Sequence, residues 1–297
     1  MRSDYRPQIA LVVAGFSLYS AVDALTKYLS LRYSILQILL IDTLVSLLPI
    51  TLIGFVHGKG WRGLSIRSLP LHSVRAMFGL GAMILNLYAF AHMPLADAYA
   101  ILFSGPLVMT ALSSLMFKEK VAPSAWAAIA GGFAGILVML RPSGPAIGTG
   151  ALSAVLGVLC FSFSALIIRH FGQNETPISF PLYGNGTAAA AIACLLAFGC
   201  PGGIVTPTQY DLGVNVVAGL ILGIAATAVL AAFRAAPASV VSPFQYYQMV
   251  WAVLLGWLIF GDTPTPFLGI GGSLIIGSGL YLLRTENRRA QANHSTK

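Results

Sequence analysis

The 297-residue chain is 57% hydrophobic and only 9% charged. Soluble domains carry about 25% charged residues, so this composition excludes a soluble enzyme or a soluble binding module. A formal charge of +8 would suit a nucleic-acid binder, but the placement of the charges assigns it to membrane topology instead.

Ten apolar segments follow one another at 8–29, 33–56, 73–93, 95–117, 122–140, 149–171, 177–199, 212–235, 238–260 and 263–283. Each is about as long as a helix needs to be to cross a hydrocarbon core. The first lacks an obvious cleavage site and is read as a retained span. It carries Asp23 and Lys27 one turn apart, acid first, the favourable order on a helix. The second carries Asp42. Charged groups inside a membrane are expensive, so these three have two readings. Asp23 or Asp42 binds a coupling proton, or the set is a structural ion pair with Lys27 snorkelling outward.

Span three holds Asn86 near its middle, and span four holds Tyr99, Phe103 and Ser104. Pro106 interrupts span four and Pro243 interrupts span nine; each removes an N–H and frees a carbonyl one turn earlier. Phe161 and Phe163 mark the middle of span six. Span nine is the richest, with Gln245, Tyr246, Tyr247, Gln248 and Trp251 at mid-helix. Aromatic rings with polar tips suit a substrate wall, and amides orient a ligand without adding charge. The plainer readings are an interhelical hydrogen bond for Asn86 and lipid contact for the phenylalanines. Small-residue pairs recur as Gly131/Gly135, Ser153/Gly157, Gly219/Gly223 and Ser273/Gly277. They predict close helix packing, within one chain or across a dimer.

The chain repeats itself at an offset of 143. Leu87, Phe90, Pro94, Phe117 and Pro123 fall on Leu230, Phe233, Pro237, Phe260 and Pro266, and Glu119 falls on Asp262. Five segments per copy is an odd number, so the second copy enters the bilayer from the opposite side. Two such halves about an in-plane pseudo-two-fold axis are an arrangement found in secondary transporters. The halves are 1–142 and 148–285, followed by a polar tail at 286–297. With the N-terminus inside, fourteen Lys and Arg residues lie on the cytoplasmic side. Only Lys27, Arg32 and Arg141 lie outside. This positive-inside bias places both termini in the cytoplasm of a multi-pass inner-membrane protein.

The run from Pro94-Leu95-Ala96-Asp97-Ala98-Tyr99 through Phe103-Ser104-Gly105-Pro106-Leu107 to Phe117-Lys118-Glu119-Lys120 has a counterpart. That counterpart runs from Pro237-Ala238-Ser239 through Ser242-Pro243-Phe244 to Phe260-Gly261-Asp262. In these residues the chain resembles the EamA family of the drug/metabolite transporter superfamily, over about 8 to 284. Two departures stand out: Met249 replaces the repeat mate of Pro106, and Asp262 stands where the family usually has Glu. The resemblance implies ten helices, termini inside, and a central cavity lined by helices 1, 3, 4, 6, 8 and 9. It also implies transport of small polar metabolites without ATP, and within the family the chain is similar to the bacterial aromatic amino-acid exporters.

Other classes leave no trace in the residues. Gly58-Lys59-Gly60 lacks the remaining elements of a phosphate loop. No His-Glu-x-x-His or Gly-x-Ser-x-Gly motif is present. No enzyme, no metal site and no cofactor is expected. The expected fold is all-α, ten transmembrane helices in two inverted five-helix repeats around a central cavity. The expected function is a secondary transporter working by alternating access on amino acids, aromatic or amphipathic, in the export direction. The alternative is an uptake permease for another metabolite such as a nucleoside derivative or vitamin, or a channel. Its partners are the small-molecule substrate and membrane lipid, not nucleic acid, with a monomer expected and a dimer as the alternative.

Overall fold

The computed structural model describes residues 6–57, 66, 68–118, 123–140, 148–171, 175–176, 178–198, 204–235, 242–263 and 265–295. The Gly58-Lys59-Gly60 stretch, Glu119 and the connector around Arg141 and Pro142 lie outside that set, as do the side chains of Pro243 and Arg169. Among the described residues every regular element is helical.

In chain order the helices are α1 (Arg6–Ser30), α2 (Ile35–His57), α3 (Leu69–His92), α4 (Leu95–Leu102), α5 (Gly105–Phe117) and α6 (Pro123–Leu140). They continue as α7 (Thr149–Phe171), α8 (Ser179–Ala197), α9 (Gln209–Ala235), a 3-10 turn (Ser242–Tyr246), α10 (Tyr247–Phe260) and α11 (Pro266–Ser295). Their residues are apolar nearly all round, as a helix surrounded by lipid and other helices requires. With no water to accept backbone hydrogen bonds, only such internally bonded segments can cross a bilayer. Seven segments are long and apolar enough to do so: α1, α2, α3, the α4–α5 run Leu95–Phe117, α7, α8 and α9. Three shorter apolar stretches accompany them, Trp126–Val138, Phe244–Phe260 and Pro266–Leu282.

Breaks and ends have local causes. Span four is two helices with a turn at Phe103–Ser104, and Pro106 sits in the first turn of α5, where its missing N–H is no loss. On the other copy the 3-10 turn Ser242–Tyr246 precedes α10 in the same way. Ser68 caps α3 by accepting from the Leu71 N–H, with proline in the first turn. Gly261 ends α10 at φ 69°, a left-handed conformation that glycine adopts freely. The polar segment after Arg284 continues α11 as helix to Ser295 instead of leaving it, since the run through Arg288, Arg289 and Ala290 contains no breaker.

The offset of 143 reappears in the element boundaries: α1 opens at Arg6 and α7 at Thr149, α6 at Pro123 and α11 at Pro266. The most extensive packing runs between the halves, α3 on α7, α6 on α11, α1 on α9, and α2 on both α8 and α9. Exchanging each helix for its repeat mate turns α3–α7 into α9–α1, and α2–α9 into α8–α3. The small-residue pairs do much of this work. A Cβ on Gly219 would lie 2.7 Å from Val45 Cβ, and one on Gly223 would lie 2.5 Å from the Ser46 carbonyl oxygen. The backbones of α2 and α9 touch there because the glycines leave room. Gly131 and Gly135 face α11, and Ser153 donates to the Leu85 carbonyl at 2.7 Å. Gly277 has nothing within 4 Å of its Cβ position, so that pair looks out of the bundle.

Side-chain links gather at two ends. At one end Lys27 meets Met93 and Asp262, Arg32 meets Asp211, and Gln37 clasps the backbone of Val205 at 2.7 and 2.9 Å. At the other, Ser68 N–H donates to Glu175 at 2.8 Å, His72 approaches Glu175 at 3.4 Å, and Phe117 packs on Phe171.

Candidate functional site

A polar cluster walled by aromatic rings lies where α1, α4 and the start of α10 meet. Its centre is Tyr99, 3% exposed on α4. The Tyr99 hydroxyl donates to the Asp23 carboxylate of α1. It accepts from Gln248 Nε2 of α10 at 3.5 Å. The rings form a ladder: Phe90 stacks on Tyr99 at 5.7 Å, Tyr99 tilts against Phe103 at 5.7 Å, and Phe103 meets Tyr246 edge-on at 5.3 Å. Such offset and edge contacts suit the ring quadrupoles and hold the side chains rigid. One turn further along α10, Trp251 Nε1 donates to Ser17 Oγ at 2.7 Å.

The local folding explains the convergence. Ser17, Ser20, Asp23 and Lys27 fall at intervals of three and four on α1 and so share one stripe. The break at Phe103–Ser104 puts two short helices where one long one would run. Ser104, 2% exposed, turns its hydroxyl back to the Ile101 carbonyl at 2.7 Å. The Tyr246 hydroxyl points into the gap left by Gly279, where a Cβ would sit 1.8 Å from it, and has no hydrogen-bond partner.

Tyr99, Phe103, Ser104, Tyr246, Gln248 and Trp251 are thus brought together. Gln245 is half-buried on the 3-10 turn beside them. Others stand apart. Asn86 turns toward α7, its Oδ1 buried without a partner against Gly157. Phe163 stacks on Phe78 of α3 at 5.3 Å. Phe161 is 54% exposed and Tyr247 40% exposed. Neighbours at mid-helix point to different faces, and only part of each run can look inward. The residues sequence reasoning missed are Ser17 and Ser20; the signal was a polar stripe on an otherwise apolar helix.

The expected Asp23–Lys27 pair is corrected. Lys27, 7% exposed, does not snorkel into solvent. Its Nζ lies 3.0 Å from Asp262 Oδ2 and 3.2 Å from the Met93 carbonyl, and 4.5 Å from the centre of the Phe260 ring. The reason is reach. The four-carbon stem carries the ammonium up to the helix end, while the short Asp23 stays at its own level and meets Tyr99. Asp42 is paired with neither; its partner is Asn215 of α9 at 2.6 Å.

A groove of about 670 Å³ is lined by Met249, Val250, Val253, Leu254 and Trp257 of α10. It is a different place from the polar cluster: its walls are apolar, and Val250 and Trp257 are 57% and 59% exposed. Specific recognition needs placed polar groups, which this groove lacks and the Tyr99 cluster has.

Seven segments long and apolar enough to cross a bilayer, packed around a buried, ring-walled polar cluster, define a polytopic membrane protein. The model of the EamA-like transporter family matches residues 6–141 and again 148–284, and the chain belongs to that family. A riboflavin transporter of Rhizobium johnstonii is 32% identical over 224 residues, covering 73% of this chain and 70% of the relative. An S-adenosylmethionine uptake transporter of Rickettsia prowazekii is 22% identical, covering 93% and 92%. A pseudopaline exporter of Pseudomonas aeruginosa is 25% identical, covering 93% and 95%. A solved crystal structure shares the fold with a TM-score of 0.66 at 20% identity, covering 95% of this chain and 97% of that one. The relatives are small-molecule transporters, so the chain is a multi-pass membrane protein of the small-molecule transporter class.

Proposed function

We propose that this protein takes up riboflavin, or another flat ring compound with a polar rim, by alternating access. In this reading ten spans form two inverted repeats in the inner membrane, with both termini cytoplasmic. The observation that carries it is the Tyr99 hydroxyl held between Asp23 and Gln248 and flanked by the Phe90 and Phe103 rings. Aromatic faces stack on a planar heterocycle, while a carboxylate and an amide serve its imide and hydroxyl groups. The riboflavin relatives support the same substrate.

Aromatic amino-acid export shares the ring wall but fits the charges less well. A zwitterion needs a cation for its carboxylate, and the nearest one along α1, Lys27, is committed to Asp262 and Met93. That three-way contact joins α1 to the α3–α4 turn and the end of α10, and serves as the outer gate in its closed position. Small-residue faces are mostly consumed within the chain, which supports a monomer.

Counterflow in proteoliposomes tests the substrate. Labelled riboflavin should saturate and exchange, with phenylalanine and tryptophan failing to compete. Flux of an aromatic amino acid without riboflavin flux would reverse the assignment. Flux of S-adenosylmethionine alone would move it to that branch of the relatives.

A further inference from the structure

We propose that Asp42 and Asn215 form a proton-binding site between α2 and α9, distinct from the ring-walled cluster. Asp42 is 1% exposed and Asn215 4%. One carboxyl oxygen of Asp42 accepts from Asn215 Nδ2 at 2.6 Å, while the other, Oδ2, is buried with no hydrogen-bond partner. Asn215 Nδ2 also reaches the Ile38 carbonyl at 3.5 Å. One turn on, buried Ser46 accepts from Asn185 of α8 at 2.8 Å. The site is closely enclosed because Gly219 and Gly223 bring the α9 backbone against α2.

Among the described residues a carboxylate there has no counter-charge. On α1, Lys27 is engaged by Asp262 and Met93, and Asp23 takes the Tyr99 hydroxyl. On α9, Asp211 is held by Arg32 and Tyr33. On α3, Arg75 donates to the Phe180 carbonyl at 2.8 Å and His72 faces Glu175. On α8, Tyr183 packs on the His72 ring at 5.6 Å and Cys194 is an exposed free thiol. Among the described residues no cation faces Asp42. An ionised aspartate buried in a membrane-spanning helix is expensive, and one neutral amide offsets only part of that cost. Binding a proton removes the charge.

The site also has a mechanical route to the substrate. Helix α9 packs on α2, which carries Asp42, and along α1, which carries Ser17, Ser20 and Asp23. An ionised Asp42 favours a looser, hydrated α2–α9 seam and a protonated one the close seam seen here. A shift of α9 passes that difference to α1. The device is thus a two-state contact biased by one proton.

Infrared difference spectroscopy on reconstituted protein tests the site without any substrate. At neutral pH the carbonyl band of a protonated carboxylic acid should be present in wild type and in Asp23→Asn, and weakened or lost in Asp42→Asn. The second arm rests on the riboflavin reading: a pH gradient should drive accumulation in wild type, and Asp42→Asn should fall to the equilibrium level while still exchanging. The exchanged pair, Asp42→Asn with Asn215→Asp, keeps the hydrogen bond and moves the acid across it, and should recover both signals. An unchanged acid band in Asp42→Asn overturns the proposal, as does undiminished driven accumulation. So does a folded exchanged pair that recovers neither. Riboflavin failing to exchange even in wild type would sink the substrate reading alone, and the infrared result would still decide the site.

Discussion

Replacing Lys27 with Met removes the charge that ties α1 to the α3–α4 turn and to the end of α10. Three contacts go with it: the ion pair to Asp262 at 3.0 Å, the hydrogen bond to the Met93 carbonyl at 3.2 Å, and the ammonium over the Phe260 ring at 4.5 Å. Hydrogen bonds to charged groups are worth about 1.5–3 kcal/mol and a cation–π contact about 1 kcal/mol. The sum is discounted because the Asp262 side chain is 23% exposed and rehydrates once released. The closed end is then held by about 2–3 kcal/mol. At about 1.4 kcal/mol per tenfold, losing it raises the fraction open at that end by roughly 30- to 150-fold. The assay is thiol alkylation of Ala252→Cys, a site 1% exposed on α10, with Cys160, Cys194 and Cys200 replaced by Ser. Alkylation of a buried thiol follows the open population, so its rate should rise by that factor when Lys27→Met is added. Asp262→Asn should act in the same direction, and the double variant should fall short of the product of the two. An unchanged or slower rate in Lys27→Met would refute the gate.

Tyr99→Phe should weaken riboflavin exchange by roughly tenfold, the worth of one buried hydroxyl between two polar partners, read as a rise in half-saturation. Gly223→Ala should lower the melting temperature in detergent, by about 1–3 kcal/mol of stability, because its new methyl meets the Ser46 carbonyl and the Pro49 ring; an unaltered melt would contradict the α2–α9 packing. Gly261→Val should carry the strain of a β-branched residue at φ 69°, about 1–2 kcal/mol, and should open the same end as Lys27→Met by displacing Asp262, measured by the same alkylation.

Helicity, the repeat and much of the cluster were legible in the residues. Spans four and nine declared themselves by packing polar-tipped aromatics at mid-depth, where no lipid headgroup excuses them, and Tyr99, Phe103, Tyr246 and Gln248 do converge. Which member of a run faces inward was not legible, as Phe161 and Tyr247 show, since apolar helices carry no strong face. The serines of α1 were hidden because a hydroxyl in a membrane helix can satisfy itself on its own backbone, as Ser17 and Ser20 both do. The partners of Asp23 and Lys27 were misread because spacing on one helix predicts neighbours, while the longer side chain chose acceptors from two other elements. Asn185 and Asn215 could not have been matched to Ser46 and Asp42 without the fold.

The packing of one copy into the other bears on how the protein is made. A ribosome delivers α1, α3 and α6 to the membrane before α9, α7 and α11, their principal contacts, have been synthesised. Those early helices must wait among lipids with their small-residue faces bare, and a premature stop after the fifth segment would strand them there. Assembly is thus completed only as the second copy arrives to pack on the first, and quality-control proteases have their longest opportunity during that interval.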